Sequence, residues 1–100
     1  MSGYRNLIVW LEAKNLTLLI YRLTENFPRS EDFGLKGQMR RASVSVMSQI
    51  AEGSLLELES QGEVAKEVGY WNDKTHEEFT LQRSKVAFLL YRYKKQIEKS

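Results

Sequence analysis

The sequence predicts an all-α fold, an antiparallel helical bundle built as a single domain over residues 1–100. Two observations carry this. Apolar residues recur at steps of three or four through three long stretches, the spacing that keeps them on one face of a helix. No segment alternates apolar and polar residues within β-branched sequence, so no strand reading competes. The chain has 100 residues, 42% of them apolar, enough for one core. A chain of this size is marginally stable unless its helices are long or it associates with copies of itself.

The first helix is expected from about Asn6 to Phe27, with Trp10, Ala13, Leu16, Ile20, Leu23 and Phe27 as its inward stripe. Pro28 ends it, because a proline pushes the preceding residue out of helical geometry. Residues 28–37 hold Pro28, Ser30, Asp32, Gly34 and Gly37 and read as a loop. The second helix begins near Leu35 and carries Met39, Ala42, Val46 and Ile50. Its serines at 43, 45, 48 and 54 read as close-packing residues. Beyond Gly53 the spacing resumes with Leu55, Leu58, Gly62, Ala65 and Val68, and Gly69 reads as a C-cap. The last helix opens at Asp73 or Thr75, with Phe79, Gln82, Val86, Leu89, Leu90, Tyr93 and Ile97 as its stripe. Glu77 and Glu78 in its first turn and basic residues in its last turns both suit the helix dipole.

Net charge is only +2, but the charges are unevenly placed. Residues 52–67 hold five glutamates against Lys66, whereas residues 83–100 hold six lysines or arginines against Glu98. Such asymmetry suggests an anionic partner or segments that attract one another within an assembly. The absence of cysteine excludes disulfides and thiolate zinc sites. No targeting segment is visible and no run approaches the roughly 20 apolar residues of a membrane span, so a cytoplasmic protein with no membrane partner is expected.

The run from Phe33-Gly34-Leu35 through Gln38-Met39-Arg40-Arg41-Ala42-Ser43-Val44-Ser45 to Ile50-Ala51-Glu52-Gly53 resembles the signature of the four-helix-bundle family encoded in bacterial ribosomal-RNA intervening sequences. That family typically reads F-G-L, then Q-x-R-R-A-x-x-S, then N-I-A-E-G. Tyr4 to Trp10, Ala13, Tyr21 and the helix end at Asn26-Phe27-Pro28 are similar as well, and Gly53 to Gln61 resembles the family's later G-S-x-x-E-L-E-x-Q segment. Gln49 stands where Asn is usual and Met47 where proline is common. The loop and half-helix that separate the two motifs in the family are missing at the Gly53-Ser54 junction.

The resemblance implies four antiparallel helices. Its implied relatives include the accessory variability determinant of diversity-generating retroelements, an accessory protein that forms a ring with a basic surface and works with a reverse transcriptase. With the intervening segment lost, the second helix is expected to run on through Gly53, giving three helices with a middle one of about 34 residues, roughly 50 Å long. The shorter outer helices would leave apolar surface open, so a homo-oligomer is expected.

No catalytic constellation is visible. His76 lacks companion ligands in sequence and reads as a solvated histidine at a helix start, and no G-x-S-x-G turn or phosphate loop occurs. A non-enzymatic protein without cofactor or metal is expected. Lys36, Arg40 and Arg41 on the second helix, and Arg92, Lys94 and Lys95 on the last, are the candidate contacts to an RNA or DNA backbone. Lys36, Arg40 and Arg41 also fit a solvated face or salt bridges to acids such as Glu12 or Glu59, and the cluster on the last helix also fits a basic helix end favoured by the dipole. Trp10 reads as a core residue, and Tyr70 and Trp71 as a cap on the bundle. Two functions follow: a nucleic-acid-associated oligomeric scaffold, or an adaptor that binds protein through an exposed apolar face.

Overall fold

A computed structural model describes residues 3–48 and 51–99, with side chains from Leu7 onward. Four helices account for nearly all of it: α1 (Gly3–Leu23), α2 (Leu35–Ser45), α3 (Ala51–Glu67) and α4 (Asp73–Lys99). A 3-10 turn at Arg29–Glu31 lies between α1 and α2. Each helix packs on the ones before and after it, and α4 returns to α1, so the order is up-down-up-down around one core. Buried Ala13, Leu16 and Ile20 of α1 meet Met39 and Ala42 of α2, Leu55, Leu58 and Ala65 of α3, and Phe79 and Val86 of α4.

The expected long middle helix does not form. The chain leaves α2 at Ser45 and turns through Val46–Ser48, and a separate α3 begins at Ala51. Gly53 is helical, but within α3, so the break falls before the expected junction rather than at it. Serine chemistry accounts for the position. The hydroxyls of Ser43, Ser45 and Ser48 donate to the carbonyls of Arg40 (2.8 Å), Arg41 (3.1 Å) and Ser45 (2.6 Å), which competes with the helical ladder. The backbone then tightens into i→i+3 bonds, Val46 to Ser43, Met47 to Val44 and Ser48 to Ser45, the usual way a helix end satisfies its last carbonyls. A turn here also lets α3 fold back and bury Leu55 and Leu58, which a continuous helix would carry away from α1. Ile50, expected on the second helix's stripe, lies outside the described residues.

Other ends follow local chemistry. α1 stops at Leu23, four residues before the expected end. Two further turns, Glu25 to Arg22 and Phe27 to Thr24, bring Phe27 back under the bundle. At the end of α3, Gly69 takes φ +83°. Its N–H donates to Lys66 O at 3.1 Å and that of Tyr70 to Ala65 O at 2.9 Å, the paired bonds of a Schellman cap. Asn72 caps α4, its Oδ1 accepting the Thr75 N–H at 2.8 Å. Phe27, Tyr70, Trp71, Phe79 and His76 then form an aromatic plug, with ring centroids 5.1 Å (Phe27–Tyr70) and 5.2 Å (Trp71–Phe79) apart. Tyr70 and Trp71 thus cap this end of the bundle, as the sequence suggested.

The opposite end is less complete. With 11 residues α2 spans about 16 Å, whereas the 27 residues of α4 span about 40 Å. The start of α1 and the tail of α4 therefore project past the α2–α3 turn. Between them lies a hollow of about 350 Å³ lined by Trp10, Val46, Met47, Leu90, Tyr93 and Ile97 among others. Trp10, expected in the core, is 45% exposed on its rim, because the helices that would cover it end too early. Ile97 and Val68 are exposed as well. No described helix is long and apolar enough to cross a membrane.

Candidate nucleic-acid interface

The loop into α2 is locked by one carboxylate. Glu31 Oε1 accepts the Leu35 N–H at 2.9 Å and so caps α2, while Oε2 accepts the Tyr70 hydroxyl at 2.6 Å, tying this loop to the α3–α4 turn. The Tyr70 hydrogen bond, with the Leu35 amide adding to it, holds the Glu31 carboxyl below its ordinary value. The same bond pushes the Tyr70 phenol up. Glu12 is held low mainly by Gln82, whose amide donates to it at 2.9 Å, with Asn15 and Lys85 adding. A group whose folded pKa is depressed stabilises the fold above its unfolded value and loses that contribution as pH falls. The urea midpoint is therefore expected to drop as pH falls below 4.5, the ordinary glutamate value. Tyr70→Phe should flatten that dependence. The raised Tyr70 pKa acts in the opposite sense, costing stability as pH rises past 10.0. Urea titrations of the two proteins over both ranges check the signs.

The six basic residues singled out in the sequence fall into two groups at opposite ends of the bundle. Lys36, Arg40 and Arg41 sit beside the locked loop. Arg40 is a strut: its Nε donates to Thr24 Oγ1 at 3.0 Å, its Nη2 to Tyr21 O at 3.0 Å, and its guanidinium lies 4.4 Å from the Tyr21 ring centroid. These bonds satisfy the end of α1 and leave Arg40 little freedom to contact a ligand. Lys36 pairs with Asp32 at 3.4 Å. Arg41 is exposed and pairs with no acid among the described residues.

Arg92, Lys94 and Lys95 lie toward the far end of α4, about 20 Å along the axis from the level of Arg22 and Glu78, which meet at 2.7 Å near Arg40's end. Lys94 pairs with Glu52 of α3. Lys95 pairs with Glu98 at 3.7 Å and lies over the Tyr91 ring. Arg92 is exposed over the Phe88 ring, 5.7 Å from its centroid, with no acid partner among the described residues. Two cations of α4 thus meet acids of α3, Lys94 with Glu52 and Arg83 with Glu59 at 3.3 Å, while Lys66 of α3 meets Asp73 at the start of α4 at 3.9 Å. The suggested partners of Arg40, Glu12 and Glu59, are taken by Lys85 and Arg83.

His76 is not a solvated histidine. Its side chain is mostly covered, Nδ1 accepts the Trp71 indole N–H at 3.3 Å, and Nε2 lies 3.6 Å from Glu63 Oε2. It braces the aromatic plug. Among the described residues no group of three or more His, Cys, Asp or Glu side chains is arranged to hold a metal. Ser43 and Ser54 are buried as close-packing residues, whereas Ser48 is exposed. Phe33, noted in the sequence only as the start of the F-G-L motif, is 97% exposed. Its apolar character in a turn-rich segment, off any helical stripe, was the available signal.

A family model for the 23S rRNA-intervening sequence protein matches residues 5–54, half of the chain. The chain belongs to that family. No curated protein matches it. The 23S rRNA-intervening sequence match covers α1 from Arg5, the locked loop, α2 and the first residues of α3, and ends at Ser54, at the junction where the sequence departs from the family pattern. Despite that departure the chain forms four helices, with α2 ending at Ser45 and α3 beginning at Ala51.

Proposed function

We propose that this member of the 23S rRNA-intervening sequence protein family is a non-catalytic, oligomeric scaffold that associates with RNA through the outward cations at the two ends of its bundle. The observation that carries the reading is the placement of Arg41 and Arg92. Both are exposed and pair with no acid among the described residues, α2 contains no acid at all, and from Gln82 onward α4 contains only Glu98. Nucleic acid is met first as a line of phosphates, so cations without competing acids are the groups that act on it. Lys36, Lys94 and Lys95 can join by exchanging an exposed carboxylate for a phosphate, since exposed ion pairs contribute little. Arg40 acts by holding α2 on α1.

Self-association is supported by the outer face of α1. Leu7, Leu11, Lys14, Leu18 and Tyr21 follow steps of four and three, the seam of a helix that packs on another helix, and Leu7, Leu11, Leu18 and Tyr21 are exposed. The same seam favours the second reading, an adaptor that binds a protein through an exposed apolar face and has no nucleic-acid role.

Titration of RNA across a salt series separates the two readings. Arg41→Glu and Arg92→Glu are each expected to weaken binding to all sequences. Each should reduce the magnitude of the slope of log affinity against log salt by about 0.7 to 0.9 for every phosphate that the variant no longer neutralises. Light scattering should report the same assembly, larger than the 11.7 kDa chain, for parent and variants. Arg40→Glu is unsuitable here, because it breaks the bonds that tie α2 to the end of α1. If the Arg41→Glu, Arg92→Glu double variant binds RNA as tightly as the parent at low salt, these cations are not where RNA binds and the adaptor reading replaces the scaffold.

A further inference from the structure

A lone exposed apolar side chain is ordinary on a protein surface. What sets Phe33 apart is the scaffold beneath it. The peptide is fixed on both sides: Glu31 N–H donates to Pro28 O at 2.9 Å, Asp32 N–H to Arg29 O at 3.0 Å, Gly34 N–H to Glu31 O at 3.1 Å and Gln38 N–H to Gly34 O at 2.9 Å. The Glu31 carboxylate adds its two bonds, to the Leu35 amide and the Tyr70 hydroxyl. Neither nearby glycine leaves room for change. A β-carbon at Gly34 would fall 2.5 Å from Glu31 Oε1, and one at Gly37 would fall 2.7 Å from the Asp32 carbonyl oxygen. A rigid loop thus holds a bare aromatic ring away from the core, where no described residue covers it.

Two arginines near the loop pair with no acid among the described residues. A β-carbon at Gly37 would also lie 3.5 Å from Arg41 Nη1, so this guanidinium shares a face with the Asp32 peptide that leads into Phe33. Arg29, in the 3-10 turn, is exposed and pairs with no acid among the described residues. The loop's own acids are engaged, Glu31 with Tyr70 and Asp32 with Lys36.

An anion with a flat π-face suits a loop beside which Arg29 and Arg41 pair with no acid among the described residues.

Resting on the RNA-associated reading above, we propose that Phe33 is a stacking platform for an unpaired base of single-stranded RNA, with Arg29 and Arg41 receiving the neighbouring phosphates. Pre-ordering of the loop spares the ligand the cost of fixing the ring. Stacking accepts any base, so the site selects for unpaired strands rather than for sequence. A base inside a duplex cannot present its face.

The test uses the full chain with labelled oligouridylate, oligoadenylate and a duplex of the same length. The parent should prefer both single strands to the duplex. Phe33→Ala should weaken single-strand binding by roughly 5- to 100-fold, the range that one stacked base is worth. It should leave duplex binding and the salt slope unchanged, since every phosphate-binding cation is still in place. Phe33→Trp should retain binding, and its added fluorescence should be quenched by RNA. A parent that binds RNA while Phe33→Ala binds every probe equally well overturns the platform and leaves the RNA reading standing. A parent that binds none of the probes overturns both. A lower mass for Phe33→Ala in light scattering makes Phe33 a contact between copies, which also overturns the platform.

Discussion

Replacing Leu58 by aspartate is expected to abolish cooperative folding, because the side chain is wholly buried at the centre of α3 among residues from all four helices. Removing a buried leucine costs about 2–5 kcal/mol through lost transfer energy and the cavity it leaves. A carboxylate there adds a polar group with no hydrogen-bond partner. Against a total stability of about 5–15 kcal/mol for an ordinary domain, the sum exceeds what a chain of this size can absorb. Leu56→Asp is the control. Leu56 lies on the same helix but faces outward and is largely exposed, so its replacement should change stability by no more than about 0.5 kcal/mol. Far-ultraviolet circular dichroism during heating distinguishes them. A cooperative, helical melt for Leu58→Asp would mean that the α3 stripe does not form the core.

Most of the helical order was legible because it rests on local rules. The spacing of Ala13, Leu16 and Ile20, of Leu55, Leu58 and Ala65, and of Phe79 and Val86 placed these side chains in the core, where they are buried. The Gly69 cap and the start near Leu35 followed from residue type. The break at Val46–Ser48 did not, since Met39, Ala42 and Val46 continue at helical steps toward Leu55. A continuous pattern is compatible with one long helix or with two that fold back. Closure of a four-sided core decides between them, and that is a property of the whole chain. Trp10 failed for the same reason: its position on the stripe is correct, but the stripe outlasts the helices that cover it.

The candidate site was legible as composition and not as geometry. Charge counting found Arg40 and Arg41 together, yet helical divergence sends Arg40 into the Thr24–Tyr21 corner and leaves Arg41 outside. The acids that neutralise Lys94 and brace His76, Glu52 and Glu63, come from α3 and are distant in sequence. No spacing rule within α4 reveals them. Phe33 was read only as part of a motif, and its exposure was not legible because an aromatic residue in a loop is commonly tucked inward, as Phe27 and Trp71 are. Only the direction of the locked peptide turns this one outward.

Gly62→Ala and Gly53→Ala are expected to change stability in opposite directions, although both glycines lie in α3. From residue type alone each costs the helix roughly 1 kcal/mol relative to alanine. Around Gly53 a β-carbon would meet nothing within 4 Å, so alanine there should raise stability by up to about 1 kcal/mol, by limiting the unfolded chain and favouring the helix. At Gly62 the same atom would fall 2.4 Å from Phe79 Cε2 and 3.0 Å from Cζ. That ring cannot retreat, because it is buried with Trp71 at 5.2 Å and His76 at 5.9 Å between centroids. Overpacking of this kind costs about 1–3 kcal/mol and outweighs the propensity gain. With about 4–8 °C per kcal/mol for a domain of this size, thermal melts resolve both signs. Phe79→Leu should recover part of the loss in the Gly62→Ala background, since the two side chains meet directly and their effects will not add. Equal stabilisation by both alanines would mean that α3 and α4 do not approach as closely as Gly62 allows.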